Sequence, residues 1–160
     1  MKKSEFKVNY INIITMHFQT EEIQQIINHL IDFNSNLRDT PPNEIFNKGI
    51  DRKHVFIKYL GREFNSRYEG VTSAAAFLVS NQVFGDGNHR TSVELVHYMG
   101  YQLDKHDLKL IMNQVMCNAF EWYQFSYACT GKPVDWVSIS KPIREYLDTY
   151  RSPYSSTCNA

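Results

Sequence analysis

Residues 71–100 constrain the fold more than any other stretch of this chain. They hold an apolar run, a glycine-bearing turn and a second helical run in immediate succession. Ala74-Ala75-Ala76-Phe77-Leu78 falls within a predicted short helix, Val71–Asn81, with almost no polar surface. A helix apolar on every side must be enclosed by other elements. Thr91–Met99 predicts the second helix, and Gly100 is a natural stop. The turn between them, Gly85-Asp86-Gly87-Asn88-His89-Arg90-Thr91, carries the ingredients of an anion cradle. Glycine permits positive φ and a close backbone approach to a ligand. The N–H groups that open a helix face such a ligand, aided by the helix dipole. Arg90 adds a charged fork suited to phosphate oxygens. Asp86 adds a hard carboxylate of the kind Mg²⁺ selects, and Mg²⁺ accompanies nucleotide phosphates.

Helical patterning dominates the remainder. Thr20 is placed to cap a helix that begins Glu21-Glu22, with Ile23, Ile26, Ile27, Leu30 and Ile31 on one face. The polar run Asn34-Ser35-Asn36 and Thr40-Pro41-Pro42 ends it. Asp104 begins the longest predicted helix, with Leu108, Ile111, Met112, Val115, Met116, Ala119, Phe120 and Tyr123 as its core face. Gly131-Lys132-Pro133 ends that helix, and Ser140 with Pro142 starts a last one through Tyr150. Residues 49–60 look different. Val55, Ile57 and Tyr59 alternate with Phe56, Lys58 and Leu60, and β-formers are dense, so this stretch reads as a strand or hairpin arm. The expectation is one mainly α domain over residues 1–160, with its core at about 20–130 and a loose tail over 151–160.

Bulk properties narrow the classes. The chain balances 17 Lys+Arg against 17 Asp+Glu, so it lacks the charge footprint of a general nucleic-acid binder. No apolar run is long enough to span a membrane. Glu5, Asn9 and Asn12 interrupt what would be the apolar part of a secretory signal. Cys117, Cys129 and Cys158 are odd in number and lack paired spacing, which fits a reducing compartment and neither a disulfide framework nor a zinc site. The expected location is the cytoplasm, or a host cytosol into which the chain is delivered.

The segment Gln82-Val83-Phe84-Gly85-Asp86-Gly87-Asn88-His89-Arg90 resembles the Fic/Doc (Fido) signature H-x-F-x-[DE]-G-N-x-R. Phe84, Asp86, Gly87, Asn88 and Arg90 match it. Many relatives carry a second arginine three residues after the first; Val93 stands there, and with Thr91 this makes the motif more Doc-like. The resemblance implies a Fido-type helical bundle with a small β-hairpin flap. It implies Mg²⁺-dependent transfer from ATP or another nucleotide onto a Ser, Thr or Tyr hydroxyl of a target protein, with AMP transfer as the leading form. Asp86 would hold the metal. Gly85, Gly87, Asn88, His89 and Arg90 would bind the nucleotide, with Arg90 also catalytic and Phe84 anchoring the loop. The family's flap holds the target by strand addition, which uses backbone hydrogen bonds and tolerates varied sequences. Asp51–Leu60 lies at the flap's position, with Val55, Phe56, Ile57 and Lys58 as its target-binding residues. An inhibitory or antitoxin partner is also implied. Two alternatives stay open: a Doc-like protein kinase, and a non-catalytic pseudoenzyme or protein-binding module.

Gln82 is the pivotal departure, because it occupies the position of the family's general-base histidine. A histidine accepts a proton near neutral pH; a glutamine amide only hydrogen-bonds. Loss of such a base removes roughly 10²–10⁴-fold in rate. Gln82 therefore reads as natural divergence or as an inactivating change, and the chain as an impaired enzyme. His89 lies inside the loop. His97 is expected to be packed, and His17, His29, His54 and His106 are scattered without ligand spacing. Asn65-Ser66-Arg67-Tyr68-Glu69-Gly70 partly matches the family's inhibitory motif [ST]-x-x-x-E-[GN], with Asn65 where Ser or Thr is expected. The aromatic cluster Phe120, Trp122, Tyr123, Phe125 and Tyr127 reads as core packing.

Overall fold

A computed structural model describes residues 15–47 and 51–149. Among these residues the chain is mainly helical, and its only β-type pairings are two isolated antiparallel bridges, Met16 with Phe64 and Phe46 with Phe84. The helices are α1 (Thr20–Arg38), α2 (Arg52–Leu60), α3 (Arg67–Ser80), α4 (Asn88–Tyr98), α5 (Lys105–Glu121) and α6 (Trp136–Ile139), followed by α7 over residues 141–149. A π-helical segment, Trp122–Tyr127, and the short turn Ala128–Thr130 carry α5 onward to the expected stop at Gly131. The predicted tail at 151–160, Tyr150 and Cys158 lie outside the described residues. No helix among the described residues is long and apolar enough to cross a membrane.

The apolar run becomes α3, the centre of the molecule. Every residue from Gly70 to Val79 is buried, because α2, α4, α5 and α6 pack around it. Ser66 caps the helix by accepting the Glu69 N–H at 3.1 Å. A Cβ at Gly70 would lie 2.9 Å from the Phe18 ring and 3.0 Å from the Phe64 ring, so only glycine lets these rings approach. Asn65–Gly70 thus opens and packs α3. Aromatic rings close one side: Tyr59 stacks on Phe77 at 4.7 Å, and Phe77 meets Trp136 edge-on at 5.3 Å. From α7, Arg144 donates to Thr72 Oγ1 and to the Val137 carbonyl, tying the last helix to α3 and α6. Arg67 and Glu22 form a bidentate ion pair between α3 and α1, which lowers the Glu22 pKa chiefly through the Arg67 hydrogen bond.

Two sequence expectations fail. Asp51–Leu60 is not a β-hairpin arm: Asp51 accepts the His54 N–H at 3.0 Å and caps α2. Phe56, Tyr59 and Leu60 are buried at i, i+3, i+4, whereas Val55 and Lys58 are exposed and Ile57 is half-buried. An alternating strand cannot bury Phe56 and Tyr59 together. The dense β-formers yielded to a capped helix with a 3.6-residue apolar stripe. The aromatic cluster near 120 is not core either. The buried stripe of α5 runs Leu108, Met112, Val115, Ala119, and Trp122 continues it half-buried. Phe120 lies about 100° round the helix from Ala119. Phe120, Tyr123 and Phe125 are 64%, 46% and 68% exposed. Helix ends agree with the sequence to within a residue or a few, but Thr20 is the first helical residue of α1 and not its cap: Gln19 holds the N-cap position without a side-chain bond, and the helix persists through the polar run to Arg38.

Candidate functional site

The turn between α3 and α4 is built by its own residues. Gln82 leaves α3 in the left-handed region (φ 51°), and Gly87 enters α4 there (φ 72°). A Cβ at Gly87 would meet Asn34 Nδ2 at 3.1 Å and Leu37 at 3.2 Å, so this glycine is required by conformation and by space. Asn88 is the staple. Its buried side chain accepts from the Phe84 N–H at 2.9 Å, donates to the Phe84 carbonyl at 2.9 Å and donates to Gln82 Oε1 at 3.2 Å. Gln82 Nε2 in turn donates to the Val79 carbonyl at 2.9 Å. Asn88 therefore spends its side chain on the loop and faces a ligand only through its backbone N–H at the start of α4, where intrahelical partners are missing. Phe84 is buried and stacks on Phe46 at 5.0 Å, which anchors the loop.

Two further segments hold this turn. Residues 45–47 lie antiparallel to 83–85: the Gly85 N–H donates to the Ile45 carbonyl at 2.8 Å, and the Asn47 N–H donates to the Val83 carbonyl at 3.1 Å. From α1, Asn34 is fully buried and donates to the Asp86 carbonyl and to Thr91 Oγ1, both at 3.0 Å. Arg38 donates to Asn34 Oδ1 at 3.0 Å and to the Ile45 carbonyl at 2.8 Å. A Schellman-type end follows it: the Thr40 N–H reaches the Ser35 carbonyl and the Asp39 N–H reaches the Asn36 carbonyl. Asp39 takes a left-handed φ of 49°, which turns the chain off α1 beside the glycine loop.

The result is an open cavity of about 650 Å³. Gln82, Asp86, Gly87, Asn88, His89 and Arg90 line it, as the sequence predicts, and Gly85 sits behind it against Arg38. Val55, Phe56, Ile57 and Lys58 do not reach it. Arg38, Thr40 and Lys109 do, and they are not among the residues the sequence singles out for the site. They belong to the end of α1 and to α5, distant in sequence and unmarked by any motif. His89 is tied to α5 through Asn113 Oδ1 at 2.7 Å, one helical turn beyond Lys109. Among the described residues Asp86 is the one carboxylate on the cavity wall, with Arg38, Arg90 and Lys109 as its cations. Its Oδ1 accepts the Gly87 N–H at 2.7 Å. The Arg90 side chain has no hydrogen-bond or ion-pair partner among the described residues. The cavity combines cationic side chains, free helix-opening N–H groups and one exposed carboxylate, a set able to hold a polyanion together with a divalent cation.

Comparison with protein-family models, with curated proteins and with solved structures returns no match to this chain.

Proposed function

We propose that this chain is a Fic/Doc-like nucleotide transferase of the Fido type, impaired at its general-base position. One observation carries the reading. Residues matching the family's signature line a single cavity with Asp86, Arg90 and the N-terminus of α4 together, and Arg38 and Lys109 add positive charge to it. The phosphates of a nucleotide would rest on the α4 N–H groups, with Arg38, Arg90 and Lys109 neutralising them. Asp86 suits Mg²⁺, which takes one or two carboxylates and fills its remaining positions with phosphate oxygens and water. Bound there, the metal would draw charge from the reacting phosphate.

In the favoured reaction a target-protein hydroxyl oxygen bonds to the α-phosphorus of ATP or another nucleoside triphosphate. The bond to the bridging oxygen breaks, pyrophosphate leaves, and the hydroxyl gives up its proton. Gln82 lies where that proton must be taken, and its amide cannot take it. Its Nε2 and Oε1 are moreover spent on Val79 and Asn88. Gln82 is thus a loop-stabilising residue as it stands. Arg90 remains free to meet charge developing on phosphate. A Doc-like transfer of the γ-phosphate uses the same cradle, and Val93 in place of a second arginine leaves the nucleotide one clamp fewer.

The test is Gln82→His. With Mg²⁺ and a cell lysate, it should create or raise label transfer to protein. With ATP and GTP run in parallel, label from the α-labelled nucleotide marks nucleotidyl transfer, AMP transfer in the case of ATP, and label from the γ-labelled nucleotide alone marks a kinase. The gain should vanish in Gln82→His/Asp86→Ala. A variant that binds nucleotide yet transfers nothing would reduce the chain to a binding module.

A further inference from the structure

A second cavity, of about 280 Å³, adjoins the loop and shares Arg90 and Lys109 with the first. Its character is different. Phe33 and Val93 give it an apolar floor, Lys105 and His106 join the two shared cations at the rim, and Glu94 is its only carboxylate among the described residues. Glu94 is 8% exposed on an otherwise apolar stretch of α4. Its carboxylate is held from two elements. His29 Nε2 on α1 lies 3.2 Å from Oε2, and Lys105 Nζ at the start of α5 lies 3.8 Å from Oε1. The His29 ring is itself fixed by stacking on Tyr98 at 4.0 Å. These two partners offset the cost of burying the carboxylate and fix it on the wall of the slot.

We propose that this slot binds the base of the nucleotide, and that Glu94 selects guanine. The proposal rests on reading the glycine loop as a nucleotide-phosphate cradle. A ligand with phosphates in the first cavity crosses Arg90 and Lys109 to place a flat ring in the second, against Phe33 and Val93. An ionised carboxylate only accepts hydrogen bonds. Guanine alone among the common bases presents two adjacent donors on its pairing edge, N1–H and the 2-amine. Adenine and cytosine each set a donor beside a lone pair, and uracil sets one N–H between two carbonyls. Each carboxylate oxygen has lone-pair capacity beyond its contact with His29 or Lys105, so a paired interaction with guanine is open to Glu94.

The experiment is calorimetric titration of the whole chain, with Mg²⁺, using GTP, ITP, ATP and tripolyphosphate. Bidentate base recognition supplies a preference of about tenfold or more. GTP should therefore bind at least about tenfold tighter than ATP. ITP keeps N1–H and lacks the 2-amine, and should fall between them. Glu94→Gln should abolish the GTP preference and leave tripolyphosphate affinity unchanged. Phe33→Ala should weaken GTP and not tripolyphosphate, which tests the slot itself; should Glu94→Gln fail to fold, the GTP, ITP and ATP order on the parent chain decides the guanine assignment. ATP binding as tight as GTP while tripolyphosphate binds would overturn the guanine assignment and leave the phosphate cradle standing. Failure of tripolyphosphate and every nucleotide at millimolar concentration would overturn the cradle itself, and the base assignment with it.

Discussion

At the residue scale, Asn88 shows how a motif position can serve structure and chemistry together. Its side chain satisfies both backbone groups of Phe84, a residue with 2% exposure, and so closes the loop that aims the α4 N–H groups outward. Asn88→Ala would leave a buried N–H and a buried carbonyl without partners. Each such group costs about 1–3 kcal/mol. Chemical denaturation should show a loss of that size, with phosphate binding lost as well. Asn88→Asp keeps the acceptor for the Phe84 N–H and should recover part of the stability. The sequence marks Asn88 through the motif it belongs to, whose other members lie within six residues of it. Asn34 performs an equal service from α1 and carries no mark, because its partners Asp86 and Thr91 are more than fifty residues away. Glu94 escapes notice for a similar reason. On one sequence it is a lone charge in an apolar helix, and its neighbours His29 and Lys105 arrive only with the fold.

At the element scale, α2 is the instructive failure. Local β-propensity and alternation pointed to a strand, but alternation over six residues is a weak signal when the residues on both parities are apolar. The 3.6-residue spacing of Phe56, Tyr59 and Leu60 and the Asp51 cap were present in the same segment. The two readings make opposite demands on neighbouring side chains. In α2, Phe56 is 1% exposed and Val55 is 42% exposed. Phe56→Ala should cost about 3–5 kcal/mol by cavity formation. Val55→Ser, at an exposed helical position, should stay within about 0.5 kcal/mol. Equilibrium unfolding of the two variants measures both, and a large loss at Val55 would reject the helix. By contrast α3, α4 and α5 were legible, since each combines a long periodic or fully apolar run with a clear stop or start. Gly100, with φ at 97°, ends α4 as expected, and Asp104 caps α5 by accepting the His106 and Asp107 N–H groups.

At the scale of the whole molecule, the cradle is an assembly of three parts: the glycine loop with the start of α4, the end of α1, and one face of α5. Two of its cations are built in different ways, and this separates binding from stability. Arg38 is half-buried and engaged with Asn34 and the Ile45 carbonyl; the carbonyl keeps the Gly85 N–H, so Arg38→Ala should lower stability by about 1–3 kcal/mol through the unpaired Asn34 Oδ1. Lys109 is exposed on α5, and Lys109→Ala should leave stability within about 0.5 kcal/mol. A polyphosphate ligand that spans the parts binds only the folded chain. At 100 times its Kd it should add about 2.7 kcal/mol and raise Tm accordingly. Arg90 lies at the junction of both cavities, with its guanidinium unspent among the described residues. A charged hydrogen-bond partner of this kind is worth about 1.5–3 kcal/mol, or about 10- to 150-fold in affinity. Thermal melts with and without Mg²⁺ and nucleotide should therefore sort the variants into two groups. Arg90→Ala and Lys109→Ala should melt like the parent chain alone and lose much of the ligand-induced rise, whereas Arg38→Ala should melt lower even without ligand. Equal ligand-induced shifts in the parent, Arg90→Ala and Lys109→Ala would place the nucleotide elsewhere on the molecule.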